Sequence, residues 1–131
     1  MLLRNRVVAR FMDGRILKGT TQDFAVGRDF FHVIPPGQGA KPERVSIPLL
    51  KAVFFVKEHV GDKTYNEAKA FDKVVPGRKL RVTFKDGEEL VGSTSGYDAT
   101  RPGFFFTPAD PKSNNDRVYV VAHAVRSVAF I

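Results

Sequence analysis

The chain contains no cysteine in 131 residues. That excludes a disulfide framework, a thiolate metal site and a cysteine nucleophile, and it permits a reducing compartment. Histidine is scarce: His32, His59 and His123 stand singly, with no H-x-H or H-x-x-x-H spacing, so no metal site is expected. Long apolar runs are missing too. The longest, Ala52 to Val56, falls far short of the ~20 residues a membrane span requires. Met1-Leu2-Leu3-Arg4 is not followed by a signal-peptide core, and a cytoplasmic location without a membrane partner is expected.

What is present is a basic, globular composition. Lys and Arg total 21 against 14 Asp and Glu, a net charge of +7, and the pI is near 9.9. The length suffices for one ordinary domain, or for two very small ones that share their burial.

Self-comparison decides between these. Phe11-Met12-Asp13-Gly14 recurs as Phe84-Lys85-Asp86-Gly87, an offset of 73 from Asp13 to Asp86. At that offset Leu17 meets Leu90, Gly19 meets Gly92, Thr21 meets Thr94, Phe31 meets Phe104 and Pro35 meets Pro108. Arg44-Val45 pairs with Arg117-Val118, after which the offset becomes 75 and Leu50–Val56 meets Val125–Ile131. The sequence therefore reads as two copies of one unit: residues 1–58, a linker 59–77, and residues 78–131.

Each copy reads as β. Asp-Gly between alternating apolar runs is a tight-hairpin signal, because glycine tolerates the positive φ such a turn needs. Five strands are expected near Arg6–Met12, Arg15–Thr21, Phe30–Ile34, Arg44–Ile47 and Ala52–Lys57. Their equivalents lie near Lys79–Lys85, Glu88–Thr94, Gly103–Thr107, Arg117–Val121 and Ser127–Ile131. Pro48–Lys51 and Ala122–Val125 are long enough only for a 3₁₀ turn. The expected fold class is all-β: two tandem five-stranded SH3-like or Sm-like barrels, packed together.

Alternation assigns the inward side chains. Val7, Ala9, Phe11, Leu17, Phe31, Val33, Val45, Ile47, Val53 and Phe55 form one expected core; Leu80, Val82, Phe84, Leu90, Phe104, Phe106, Val118, Val120, Val128 and Phe130 form the other. The opposite parity is also apolar at Val8, Ile16, Phe30, Phe54 and Val56, and at Val91, Phe105, Tyr119 and Val121. Barrels of ~55 residues bury little alone, so these outer residues are expected to pack the copies together. The linker, with a capping-box pattern at Thr64–Glu67 and apolar Tyr65, Phe71, Val74 and Val75, is expected to be ordered, as helix or extended connector.

Chemistry is sparse. The isolated histidines, the Thr20-Thr21 and Ser93-Thr94-Ser95 strand residues and the turn-forming Asp13 and Asp86 build no nucleophile–base pair or carboxylate pair. Gly37-Gln38-Gly39 and Gly92–Gly96 lack the strand–loop–helix setting and the Gly-Lys-Ser/Thr of phosphate-binding loops. No enzyme activity and no cofactor are expected.

Charge is the suggestive quantity. Residues 1–58 hold ten basic and five acidic side chains, and residues 78–131 hold eight and six. Arg4, Arg6 and Arg10 share one parity, and Arg15 and Arg28 lie nearby, a stripe that can attract phosphates. Nucleic-acid barrels interleave such residues with exposed aromatics, whereas alternation sends most aromatics here to the cores. Arg6-Val-Val-Ala-Arg10 also matches the R-x-x-x-R half of the PilZ cyclic-dinucleotide signature. The other half, Asp23–Gly27, lacks its Ser and is one residue short. Ser113–Asp116 is a turn-forming stretch, in which Asn114 and Asn115, with Arg117, can also present donors to a partner.

The run Leu50–Lys57, the segment Val82–Glu88 with Gly92, Gly96-Tyr97-Asp98, Gly103-Phe104-Phe105 and Pro108–Arg117 together resemble an uncharacterised bacterial family, a domain of unknown function with an Sm-like fold. The likeness covers nearly the whole chain and implies the fold, with no activity attached to it. Phe24–Gly27 stands where Sm proteins carry an RNA-site Asn, and no Arg-Gly opens the last loop. The expected role is a non-enzymatic binding or adaptor module, recognising a protein partner or another copy through loops and edge strands. RNA binding by the basic face of copy one is the alternative, with cyclic-dinucleotide binding behind it.

Overall fold

The computed structural model describes residues 5–57, 77–110 and 113–131. The expected linker, residues 59–77, lies outside the described residues except for Gly77. Among these residues ten strands form: β1 (Asn5–Phe11), β2 (Ile16–Thr21), β3 (Phe30–Val33), β4 (Glu43–Ser46), β5 (Leu50–Val56), β6 (Arg78–Phe84), β7 (Glu89–Thr94), β8 (Gly103–Pro108), β9 (Asn115–Val121) and β10 (Val125–Phe130). Single 3₁₀ turns, Ile47–Leu49 and Ala122–Ala124, precede β5 and β10. Among the described residues the fold is all-β, and no helix is long and apolar enough to cross a membrane.

The Asp-Gly signals make the hairpins. Gly14 and Gly87 have φ of +97° and +95°, a region open to glycine at little cost. Asp13 and Asp86 accept the backbone N–H two residues on, at 3.0 and 2.9 Å. Val7 then falls opposite Gly19, and Leu80 opposite Gly92. A Cβ on Gly19 would overlap the carbonyl oxygen of Ile34, and one on Gly92 that of Thr107, so both glycines permit the next strand to cross closely.

Strand pairing corrects the expected barrels. The sheets do not close. One eight-stranded sheet runs β10-β6-β7-β8-β9-β5-β1-β2, and β3 and β4 form a second, two-stranded sheet. Thr20 and Ile34 exchange backbone hydrogen bonds of 3.0 and 2.8 Å, tying β3 to β2. In place of closure, β5 gives its second edge to β9, with Val53 opposite Tyr119 and Phe54 opposite Val118. The halves are thus joined edge to edge as well as face to face.

The same pairing moves the two-residue insertion. Phe31 lies opposite Val45, but Phe104 lies opposite Val120. Ile47 donates to the Asp29 carbonyl and Ala122 to that of Pro102, each at 2.8 Å. Val45 therefore corresponds to Val120, not Val118, and Arg44 to Tyr119, not Arg117. The extra residues lie between β8 and β9, before the fourth strand of that half. A slip of two keeps every side chain on its face, so alternation could not detect it.

Two apolar clusters form, and each borrows from the other half. Val8, Ala52, Phe54 and Val56 pack with Leu80, Val82, Phe84, Phe104 and Phe106. Tyr119, Val121 and Phe105 pack with Val7, Phe31, Val33, Val53 and Phe55. The outer residues of the joined strands thus become core, while Ile16 stays exposed and Phe30 half-exposed. Phe130 departs from expectation: it is 42% exposed where its counterpart Phe55 is 4% exposed, because no described strand covers the far edge of β10.

Candidate binding face and open sheet edges

The β3–β4 hairpin turns a polar and aromatic face outward. Phe31, Val33 and Val45 point into the core, so alternation turns Phe30, His32, Arg44 and Ser46 outward, with His32 directly opposite Arg44. Two guanidinium groups lie over the Phe30 ring, Arg44 at 4.0 Å and Arg28 at 5.4 Å from its centroid. The His32 ring meets it edge-on at 5.8 Å.

Asp23 organises the neighbouring loop. One carboxylate oxygen accepts the His32 backbone N–H at 2.9 Å and the Thr21 hydroxyl at 3.2 Å. The other lies 2.7 Å from His32 Nδ1. Burial pushes this carboxyl up, but the hydrogen bonds from His32 and Thr21, with the imidazole charge, outweigh it and hold Asp23 below the usual carboxylate value. An open recess of about 670 Å³ adjoins the pair, lined by Gln22, Asp23, His32, Ile34, Lys41 and Pro42. Among the described residues no three His, Asp or Glu side chains gather into a metal-binding group.

The sequence-derived candidates scatter. Arg4 lies outside the described residues. Arg6 donates to the Lys57 carbonyl at 2.6 Å. Arg10 lies 5.2 Å from the Phe54 ring, and its buried Nε has no hydrogen-bond partner among the described residues. Arg15 is held 3.2 Å from Asp13 and lies over Phe11. Arg117 lies over Phe55 and Phe105, at 4.3 and 4.7 Å, covering the joint between halves. Asn114 accepts the Lys57 N–H at 2.8 Å, and the Asn115 N–H goes to Ser113 Oγ at 3.0 Å. These residues make no continuous stripe. Arg28 alone belongs to the β3–β4 face, beside Arg44, His32 and Lys41, which sequence reasoning missed. Pairing the third and fourth strands as a hairpin would have revealed Arg44 beside His32.

The second surface consists of the two sheet ends. β10 pairs only with β6, and β4 only with β3, among the described residues. Ile131, 56% exposed, follows Phe130 at the β10 end, although Val56, its counterpart, is 7% exposed. The joint itself carries ion pairs made by a buried lysine: Lys51, in the β5 bulge and 7% exposed, reaches the more exposed Asp86 at 2.7 Å and also Glu88.

No curated protein and no solved structure matches the chain. A family described as a family of unknown function (DUF6982) matches residues 3–131, and the chain belongs to that family.

Proposed function

We propose that this protein is a non-enzymatic binding or adaptor module that recruits a protein partner by strand addition at an open sheet edge. One observation carries the reading: Phe130 and Ile131 on β10 are 42% and 56% exposed, while Phe55 and Val56, at the matching places on β5, are 4% and 7% exposed. Strand β5 has β9 on its second edge, whereas among the described residues β10 has β6 on one edge and no strand on the other. An unpaired edge with apolar side chains is a template for another strand. The two halves follow one strand order, β10-β6-β7-β8-β9 and β5-β1-β2, with β3-β4 continuing the second. That order supports the tandem, Sm-like or SH3-like reading of the units. The test is capture of proteins from nuclease-treated lysate by the wild type and by Ala129→Lys, which places a charge on the exposed edge. A partner held by both equally would overturn the edge reading.

RNA binding by the β3–β4 face is the second reading, favoured by the contacts of Arg28 and Arg44 with the Phe30 ring beside His32 and Lys41. Guanidinium and aromatic planes together suit stacked bases and their phosphates. Fluorescence anisotropy with single-stranded RNA at two salt concentrations tests it. Binding should weaken steeply with salt, and Arg44→Ala should reduce it; negligible affinity at both concentrations removes this reading.

A further inference from the structure

The joint between the halves defines an operation that the chain leaves unfinished. In it, the fifth strand of one half, β5, pairs with the fourth strand of the other, β9. The remaining fifth strand, β10, and the remaining fourth strand, β4, are the two ends of the same series of strands and have no further strand beside them among the described residues. We propose that copies of this chain associate head to tail, with β10 of one copy pairing antiparallel with β4 of the next. This rests on the edge-binding reading and names the occupant as a second copy.

The register follows from the joint. Val53 faces Tyr119 and Ala52 faces Val120. Val53 corresponds to Val128, because Ala9 faces the one and Val82 the other. Tyr119 corresponds to Arg44, because Phe105 faces the one and His32 the other. Val128 is therefore placed opposite Arg44 of a second copy, and Ser127 opposite Val45.

Backbone direction agrees independently. Ile131 donates its N–H to Lys79 on β6, and Ile47 donates to Asp29 beside β3. Alternation then turns the N–H and C=O groups of Val128 and Phe130 away from β6, and those of Arg44 and Ser46 away from β3. Val128 and Arg44, placed opposite each other, thus both present outward hydrogen-bonding groups, and Pro42, opposite Phe130, offers its carbonyl alone.

Side chains fit the same placement. Phe130 and Ile131 come to lie toward the recess beside β4, where His32, Ile34 and Pro42 supply apolar and aromatic surface. Arg126 occupies the bulge position of Lys51 and approaches Asp13, the counterpart of Asp86. The new joint is more polar than the internal one, since His32, Arg44 and Ser46 replace Phe105, Tyr119 and Val121. The association is therefore reversible on dilution. The contact is heterologous, so it builds a ring where the rotation closes and a filament where it does not.

Light scattering on the full chain, from about 5 µM to about 0.5 mM, spans the affinities such a small interface can hold. The expected result is a mass rising above 14.6 kDa with concentration. Val128→Pro removes an outward N–H from β10, and Arg44→Pro removes one from β4; each alone should remain monomeric, with an unchanged circular dichroism spectrum. Mixed, they retain one intact pair of edges and should form a one-to-one dimer. A wild-type mass constant over the range, either variant associating like the wild type, or a mixture without dimer would overturn the proposal. Edge-dependent capture of another protein by a monomeric wild type would leave the adaptor reading standing while this one fails.

Discussion

Lys51 on β5 lies 2.7 Å from Asp86 in the β6–β7 hairpin, with its stem buried and its ammonium 4.7 Å from the Phe84 ring. One side chain thus links the two halves by charge, by hydrogen bond and by packing. Its carboxylate partners are partly exposed, so water can rehydrate them if the lysine is lost. Lys51→Ala should cost about 1–3 kcal/mol, between the values for exposed and fully buried pairs. Lys51→Met, which keeps the apolar stem, should cost less. Urea denaturation of the two variants checks the order, and equal losses would remove the packing contribution.

Acid should weaken the fold through particular carboxylates. The Lys51 hydrogen bond, with the Glu88 backbone N–H, holds Asp86 below its ordinary value of 3.8. Asp23 is likewise held low by His32 and Thr21, against its burial. A carboxyl with a depressed folded-state pKa contributes stability that is present above the unfolded value and lost as pH falls through the folded one. Stability should therefore fall below pH 3.8. Asp86→Asn and Asp23→Asn should each flatten that fall, measured as urea midpoints at successive pH values; a slope identical to wild type would contradict the assignment.

The glycines of the second strands make a sharper contrast. Gly19→Ala and Gly92→Ala each drive a methyl group into a backbone carbonyl oxygen, which cannot swing aside as a side chain can. Each should cost about 2–3 kcal/mol. Gly96→Ala meets open space and should stay within about 0.5 kcal/mol of wild type. Thermal melts of the three variants test the difference.

Shared clusters predict shared unfolding. Tyr119 is 2% exposed and packs edge-on against Phe24 and Phe105, at 5.2 Å from each. It sits on β9 yet belongs to the cluster of the first half. Tyr119→Ala should cost about 3–5 kcal/mol, the range for large aromatic truncations, and lower the whole of a single transition. Two separate transitions in calorimetry would show that the halves unfold independently.

Period-two alternation and the paired Asp-Gly turns were enough to place the ten strands of the described residues, because both signals are local: a turn needs its glycine, and a half-buried strand needs alternate apolar residues. The core assignment of Phe31 over Phe30 and of Phe104 over Phe105 follows from the same rule and agrees with their burial. Alternation says which face a side chain takes. It does not say which strand lies along each backbone edge.

That second question is decided by contacts distant in sequence. Val53 meets Tyr119 across the joint, and only the tertiary structure selects β9 over closure into a separate barrel. The location of the two-residue insertion was hidden because a shift of two preserves every face. The arginines of β1 read as a stripe in sequence, but Arg10 is drawn over Phe54 and Arg6 to a backbone carbonyl, while Arg28 and Arg44 meet on Phe30. The amino-acid sequence by itself determined the strands, their turns and their inward faces, since those depend on near neighbours along the chain. The tertiary structure decided which edges are satisfied and which, at β4 and β10, have no partner among the described residues, since backbone pairing carries no side-chain signature of its partner.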